Sequence, residues 1–91
     1  MKKRVQVRVQ GHVQGVGYRY YAVHMAKELG ITGFVRNTSA SGVETVGEGD
    51  ENTLTQFAEA MSHGPHTATV TEVATAWSDA SNEFADFSVS E

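Results

Sequence analysis

No cysteine occurs among the 91 residues. Disulfide frameworks, thiolate metal sites and cysteine nucleophiles are excluded, and a cysteine-free small domain fits a cytoplasmic setting. Long apolar runs are also missing. No stretch approaches the ~20 apolar residues of a membrane span. The opening MKKRVQVRVQ is basic, but Arg8 and the glutamines interrupt it before an apolar h-region forms, so no secretory signal is expected. Lys and Arg are absent from residues 38–91, which carry ten acids. All seven basic residues lie in residues 1–37, beside one acid, Glu28. The formal net charge of −4 therefore hides a basic first part and an acidic remainder. Two readings fit: solvated faces that attract each other, or an anion site built from the N-terminal part. The acidic total argues against nucleic acid as a partner, because its binders carry a basic footprint.

The rest of the composition, 40% hydrophobic and 20% charged, is that of a soluble globular chain. The length predicts a single domain, residues 1–91, with room for one two-layer core. RVQVRVQ (4–10) alternates strictly, with Val5, Val7 and Val9 on one face, and reads as a half-buried strand that stops at Gly11. From Tyr18 the period changes. Ala22, Met25, Ala26 and Leu29 form a helical stripe, ended by Gly30. Strands follow at 31–37 and 43–49, joined by the turn SASG (39–42). A second helix spans 50–64, with Leu54, Phe57, Ala58 and Met61 on its apolar face. Asp50 or Asn52 is placed to cap its start, and Gly64-Pro65 ends it. Residues 67–77 read as a fourth strand, 79–83 as a loop and 84–90 as a short last strand. The order βαββαβ plus a C-terminal strand predicts an α+β two-layer, ferredoxin-like sandwich, an antiparallel sheet with both helices on one face.

The residues between the first strand and first helix are glycine-rich: GHVQGVGYR (11–19). A helix start leaves backbone N–H groups without intrahelical partners, and its dipole favours negative charge. Glycines let such amides converge on an anion. Gly15 and Gly17 reach positive φ without steric cost. Arg19, in the first turn, offers a planar fork that binds two oxygens of a phosphoryl group. Together they predict a cradle for a small oxyanion; the competing reading is a tight turn beside a surface arginine. No Gly-Lys-Ser/Thr follows, and tyrosine stands where GxGxxG needs its third glycine, so mononucleotide and dinucleotide fingerprints are absent.

HVQGVGYR (12–19), FVRN (34–37), VETVGEG (43–49) and Gly64-Pro65 resemble the acylphosphatases, and the resemblance runs from Val5 to Val89. It implies a small α+β sandwich that hydrolyses the carboxyl–phosphate anhydride of acyl phosphates to carboxylate and inorganic phosphate, with no metal and no cofactor. It also implies that Arg19 binds the phosphoryl group, that the backbone of Gln14, Gly15, Val16, Gly17, Tyr18 and Arg19 completes the cradle, and that Asn37 positions the attacking water. The family pattern after the second strand has a glycine one place earlier than here, where Ser41 precedes Gly42. A different turn is expected there.

The expected partner is a small acyl phosphate, with phosphate or sulfate as inhibitor, and the expected state is a cytoplasmic monomer without nucleic acid or membrane. A runner-up of another class is a non-catalytic anion- or RNA-binding module of the same topology. It needs aromatics on the central strands, and residues 4–10 and 43–49 contain none. His12, His24, His63 and His66 show no metal-ligand spacing. Arg36 is expected on the sheet face opposite Asn37, since strand side chains alternate. Tyr18 is expected to pack between loop and helix, and Trp77 to sit at the edge of the core.

Overall fold

The computed structural model describes residues 1–90. Strand β1 spans Lys2–His12, helix α1 Tyr18–Leu29, β2 Thr32–Asn37, β3 Val43–Asp50, helix α2 Glu51–His63, β4 Thr69–Asp79 and β5 Phe87–Val89. The alternation in β1 does what it predicts: Val5, Val7 and Val9 are fully buried. The strand runs past its expected stop. A bulge at Gln10/Gly11 shifts the register, and pairing with β4 continues to His12. Only glycine fits the bulge. Gly11 has φ 127, and a β-carbon would lie 2.1 Å from the Thr69 carbonyl oxygen.

The helix stripes also form. Tyr18, Ala22 and Ala26 of α1 and Leu54, Phe57 and Met61 of α2 are buried in one core, with α1 lying over β2 and β5 and α2 over β1 and β3. Gly30 closes α1 in the left-handed conformation, and Ile31 N–H donates to the Ala26 carbonyl at 2.8 Å, a Schellman closure. Asp50 stands at the α2 cap position but makes no capping bond; its carboxylate meets the N-terminal ammonium at 3.3 Å instead.

The five strands form one sheet in the order β4-β1-β3-β2-β5. The four long strands pair antiparallel, as expected. The fifth corrects the expectation of a wholly antiparallel sheet: β5 pairs parallel with β2, Val35 opposite Val89. Strand β4 ends beside the start of β1, where Asp79 faces Lys3. A chain leaving that end for the far edge arrives running in the direction of β2. Segment 80–86 makes this crossing over the face opposite the helices. Phe84 packs on Phe34 (ring centroids 5.8 Å apart), with the Arg4 guanidinium over its ring. The buried Glu48 carboxylate accepts bonds from Ser81 N–H (2.8 Å), Ser81 Oγ (2.8 Å) and Asn82 N–H (2.9 Å). Phe87 then drops into the core edge-on to Phe57. At the other edge, Val73 and Trp77 share the helix-facing side with Val9 and Val5 but lie exposed. Trp77 is therefore further out than the core-edge position expected of it.

Candidate active site

The glycines at the mouth of α1 adopt the conformations that demand them. Gly15 has φ 74 and Gly17 φ 86, and a β-carbon at either would meet nothing within 4 Å. Backbone geometry, not space, requires glycine here. The resulting turn leaves every backbone N–H from Gly15 to Tyr20 without an acceptor among the described residues. Of these residues all but Val16 line one cavity of about 420 Å³ at the N-terminal end of the α1 dipole. Gly15, Gly17 and Arg19 line it with Asn37 across from β2; Val13 and Tyr18 lie at its base, and Tyr20 and Val89 complete it.

Arg19 differs from the other arginines. Arg4 pairs with Glu48 and Glu83, while Arg8 and Arg36 both pair with Glu44. Among the described residues Arg19 has no carboxylate partner. The reading of the charge asymmetry as mutually attracting faces holds for Arg4, Arg8 and Arg36, and Arg19 stands outside those pairs. Most basic side chains of β1 and β2 are neutralised by β3, and one arginine is left facing the cavity.

Asn37 is the second unpartnered group. Its Oδ1 is buried and accepts no hydrogen bond. Such an oxygen costs about 1–3 kcal/mol where it replaces a satisfied one, and it demands an explanation. Register places Asn37 opposite Val43 on the helix-facing side, while Arg36 faces the other way toward Glu44, as expected.

Of the expected cradle residues, Gly15, Gly17, Tyr18 and Arg19 line the cavity, but Gln14 and Val16 do not. The Gln14 amide points away and donates to the carbonyls of Thr38 (3.0 Å) and Gly42 (2.8 Å), tying the loop to the β2–β3 hairpin. Val16 packs on the core, and its carbonyl accepts the Thr67 hydroxyl at 2.6 Å. The Tyr18 ring is buried as expected, its hydroxyl donating to the Met61 carbonyl at 2.6 Å. Burial, and secondarily the neighbouring Tyr21, push that phenol well above its ordinary range, so it stays protonated. Val13, Tyr20 and Val89 were not signalled by the sequence. Val89 reads in the sequence as a partner of Phe87 on one strand face, and nothing local ties it, Val13 or Tyr20 to a site.

In the hairpin, Ser41 holds φ 68, the left-handed conformation that favours glycine. Gly42 is needed for space instead, because a β-carbon would lie 2.5 Å from the Val9 carbonyl. No histidine lines the cavity, and among the described residues no three His, Asp or Glu side chains converge. Among the described residues no helix is long and apolar enough to cross a membrane.

The model of one protein family, the acylphosphatases, matches residues 5–89. The chain belongs to the acylphosphatase family. It is similar to the acylphosphatase of Salinibacter ruber, 43% identical over 88 residues that cover 97% of this chain and 93% of the relative. The acylphosphatase of Caldanaerobacter subterraneus is 39% identical, covering 98% and 99%. Among solved structures, an acylphosphatase from Bacillus subtilis superposes with a TM-score of 0.92 at 32% identity, covering 98% of this chain and 99% of that one. The acylphosphatase fold is thus the ferredoxin-like sandwich read from the element order.

Proposed function

We propose that this chain hydrolyses acyl phosphates, with the phosphoryl group seated on the amides of Gly15, Gly17, Tyr18 and Arg19 and on the Arg19 guanidinium, and with water held by Asn37. The observation that carries this reading is the meeting of unpartnered groups in one cavity. Free N–H donors and an unpaired arginine share the cavity with Asn37, whose buried Oδ1 has no donor among the described residues.

The chemistry needs little more. The Asn37 oxygen accepts one O–H of water and aims its lone pair at phosphorus. The water oxygen–phosphorus bond forms as the bond from phosphorus to the acyl oxygen breaks. The carboxylate leaves with the electron pair, and the water proton passes to a phosphate oxygen of the substrate. Phosphoryl transfer asks mainly for positioning and charge stabilisation. The carboxylate is a good leaving group, so no general acid is required, and ordinary phosphate monoesters are poor substrates.

The reaction in this reading is metal-independent and cofactor-free, and phosphate or sulfate competes for the cradle. In this reading the protein works as a monomer, in the cytoplasm and without nucleic acid. The sheet face that an RNA-recognition module would use is occupied by the ion pairs of Arg4, Arg8 and Arg36 with Glu44 and Glu48. Hydrolysis of an aryl acyl phosphate, with and without EDTA, tests the proposal. Equal turnover in both and competitive inhibition by phosphate are expected. Loss in EDTA restored by Mg²⁺ contradicts the metal-free mechanism. Phosphate binding without turnover marks a binding module instead.

A further inference from the structure

The phosphoryl group accounts for only one side of the cavity. A volume of about 420 Å³ is in the range of small-molecule sites, and it exceeds what the amides, Arg19 and Asn37 enclose around a single tetrahedral group. The remaining lining is apolar. Val13 and Tyr18 are buried at the base. Tyr20 and Val89 form the rim, and both are anomalous.

Tyr20 is 87% exposed and Val89 42%. Among the described residues only five large apolar side chains are exposed to this degree, the others being Met1, Val73 and Trp77. Scattered exposed apolar residues need no explanation. Two of the five, from opposite ends of the chain, line one cavity. Each is placed there by structure built for another purpose. Tyr20 follows Arg19 in the first turn of α1, so the helix start that aims the arginine also projects this ring. Val89 lies opposite Val35 in the parallel β2–β5 pair, hence on the same sheet side as Val35 and Asn37. Phe87 of β5 fills the core, and Val89, two residues on, emerges at the cavity.

We propose that Tyr20 and Val89 form the acyl-group subsite, and that they set a preference for acyl phosphates with an apolar, above all aromatic, acyl group. The inference rests on the hydrolase reading given above and extends it to the substrate class. A ring of the substrate covers the Tyr20 face in offset or edge-on contact and buries the Val89 methyls. A short or charged acyl group gains neither. Because this part of the substrate does not react, its binding appears in kcat/KM as discrimination between substrates.

The test compares benzoyl phosphate with acetyl phosphate in wild type, Tyr20→Ala, Tyr20→Phe and Val89→Ala. Dividing each variant's kcat/KM by the wild-type value for the same substrate cancels intrinsic reactivity. Tyr20→Ala is expected to lose about tenfold on benzoyl phosphate and less than about twofold on acetyl phosphate, the scale of one lost apolar contact surface. Val89→Ala is expected to lose about threefold on benzoyl phosphate alone. Tyr20→Phe keeps the wild-type ratio, because the ring and not the hydroxyl makes the contact. Inhibition by inorganic phosphate stays unchanged in all three. The exposed ring supports no core packing, so Tyr20→Ala melts as wild type does. Equal losses on both substrates, no loss on either, or failure of Tyr20→Phe to retain selectivity overturns the subsite. Wild type that turns over neither substrate contradicts the hydrolase reading itself, a separate outcome.

Discussion

A single residue, Arg19, separates this cavity from ordinary surface. Three other arginines spend their guanidinium donors on Glu44 and Glu48, and Arg19 does not. Its fork is therefore available to two phosphoryl oxygens at once, which a lysine ammonium cannot imitate. Arg19→Lys is expected to lower kcat/KM for an aryl acyl phosphate roughly 10²–10³-fold, the scale of one lost preorganised donor, and to weaken phosphate inhibition; wild-type values for both would remove Arg19 from the site. Ser41 carries the opposite kind of signal. At φ 68 a β-carbon is held in a region that costs about 1–2 kcal/mol for most residues. Ser41→Gly relieves that strain at the cost of a more flexible unfolded chain. A net gain of about 0.5–1 kcal/mol in urea unfolding is expected, with turnover unchanged, and a loss of stability would show that the serine side chain supports the turn. Arg19 was readable because charge and spacing are local. Ser41 was visible only as a shifted glycine, since a dihedral angle leaves no mark on composition.

At the scale of elements, patterns that repeat were legible and patterns that depend on distant partners were not. The period of two in β1 and the stripes of both helices follow from one-sided burial. The direction of β5 does not, because three residues carry too little alternation to say which strand they join. It is fixed by the path of segment 80–86 and by the Glu48 clasp that holds it. The same holds for the Gln14 bridge to the hairpin, which joins residues far apart in the chain. The clasp has a pH signature. Burial works to raise the Glu48 pKa, but bonds from the Ser81 amide and hydroxyl, the Asn82 amide and the Arg4 charge outweigh it and hold the pKa below the usual carboxylate range. A depressed pKa in the folded state means that the unfolded chain binds the proton more readily. The clasp is therefore at full strength above about pH 4.5, the ordinary carboxyl value, and is lost as pH falls through the folded pKa. Glu48→Gln is expected to lower stability at pH 7 by about 1–3 kcal/mol, with the gap to wild type narrowing toward pH 3. Parallel pH–stability curves for the two proteins would show that the carboxylate charge is not what holds the segment.

Over the whole molecule, charge and topology converge on one end of the sheet. Glu44 and Glu48 of the central strand β3 neutralise Arg4 and Arg8 of β1 and Arg36 of β2. The β1–α1 turn and the end of β2 meet on the helix-facing side, bringing Arg19 and Asn37 to one cavity. The glycine turn at the mouth of α1 was legible from glycine spacing and helix-terminus physics. Asn37 was not, because an asparagine at a strand end is a common turn residue, and its place rested on family resemblance until its buried, unpartnered oxygen was seen. That oxygen is the centre of the account. If it holds the attacking water, it acts in the transition state far more than in ground-state binding. Steady-state hydrolysis of an aryl acyl phosphate by Asn37→Ala, with phosphate inhibition measured on the same folded protein, tests this most directly. Because the side chain accepts no hydrogen bond on Oδ1, the variant is expected to be as stable as wild type within about 1 kcal/mol. A fall in kcat of roughly 10²–10³-fold is expected, with the phosphate inhibition constant nearly unchanged. A folded Asn37→Ala protein with wild-type kcat would contradict the water-holding role of Asn37.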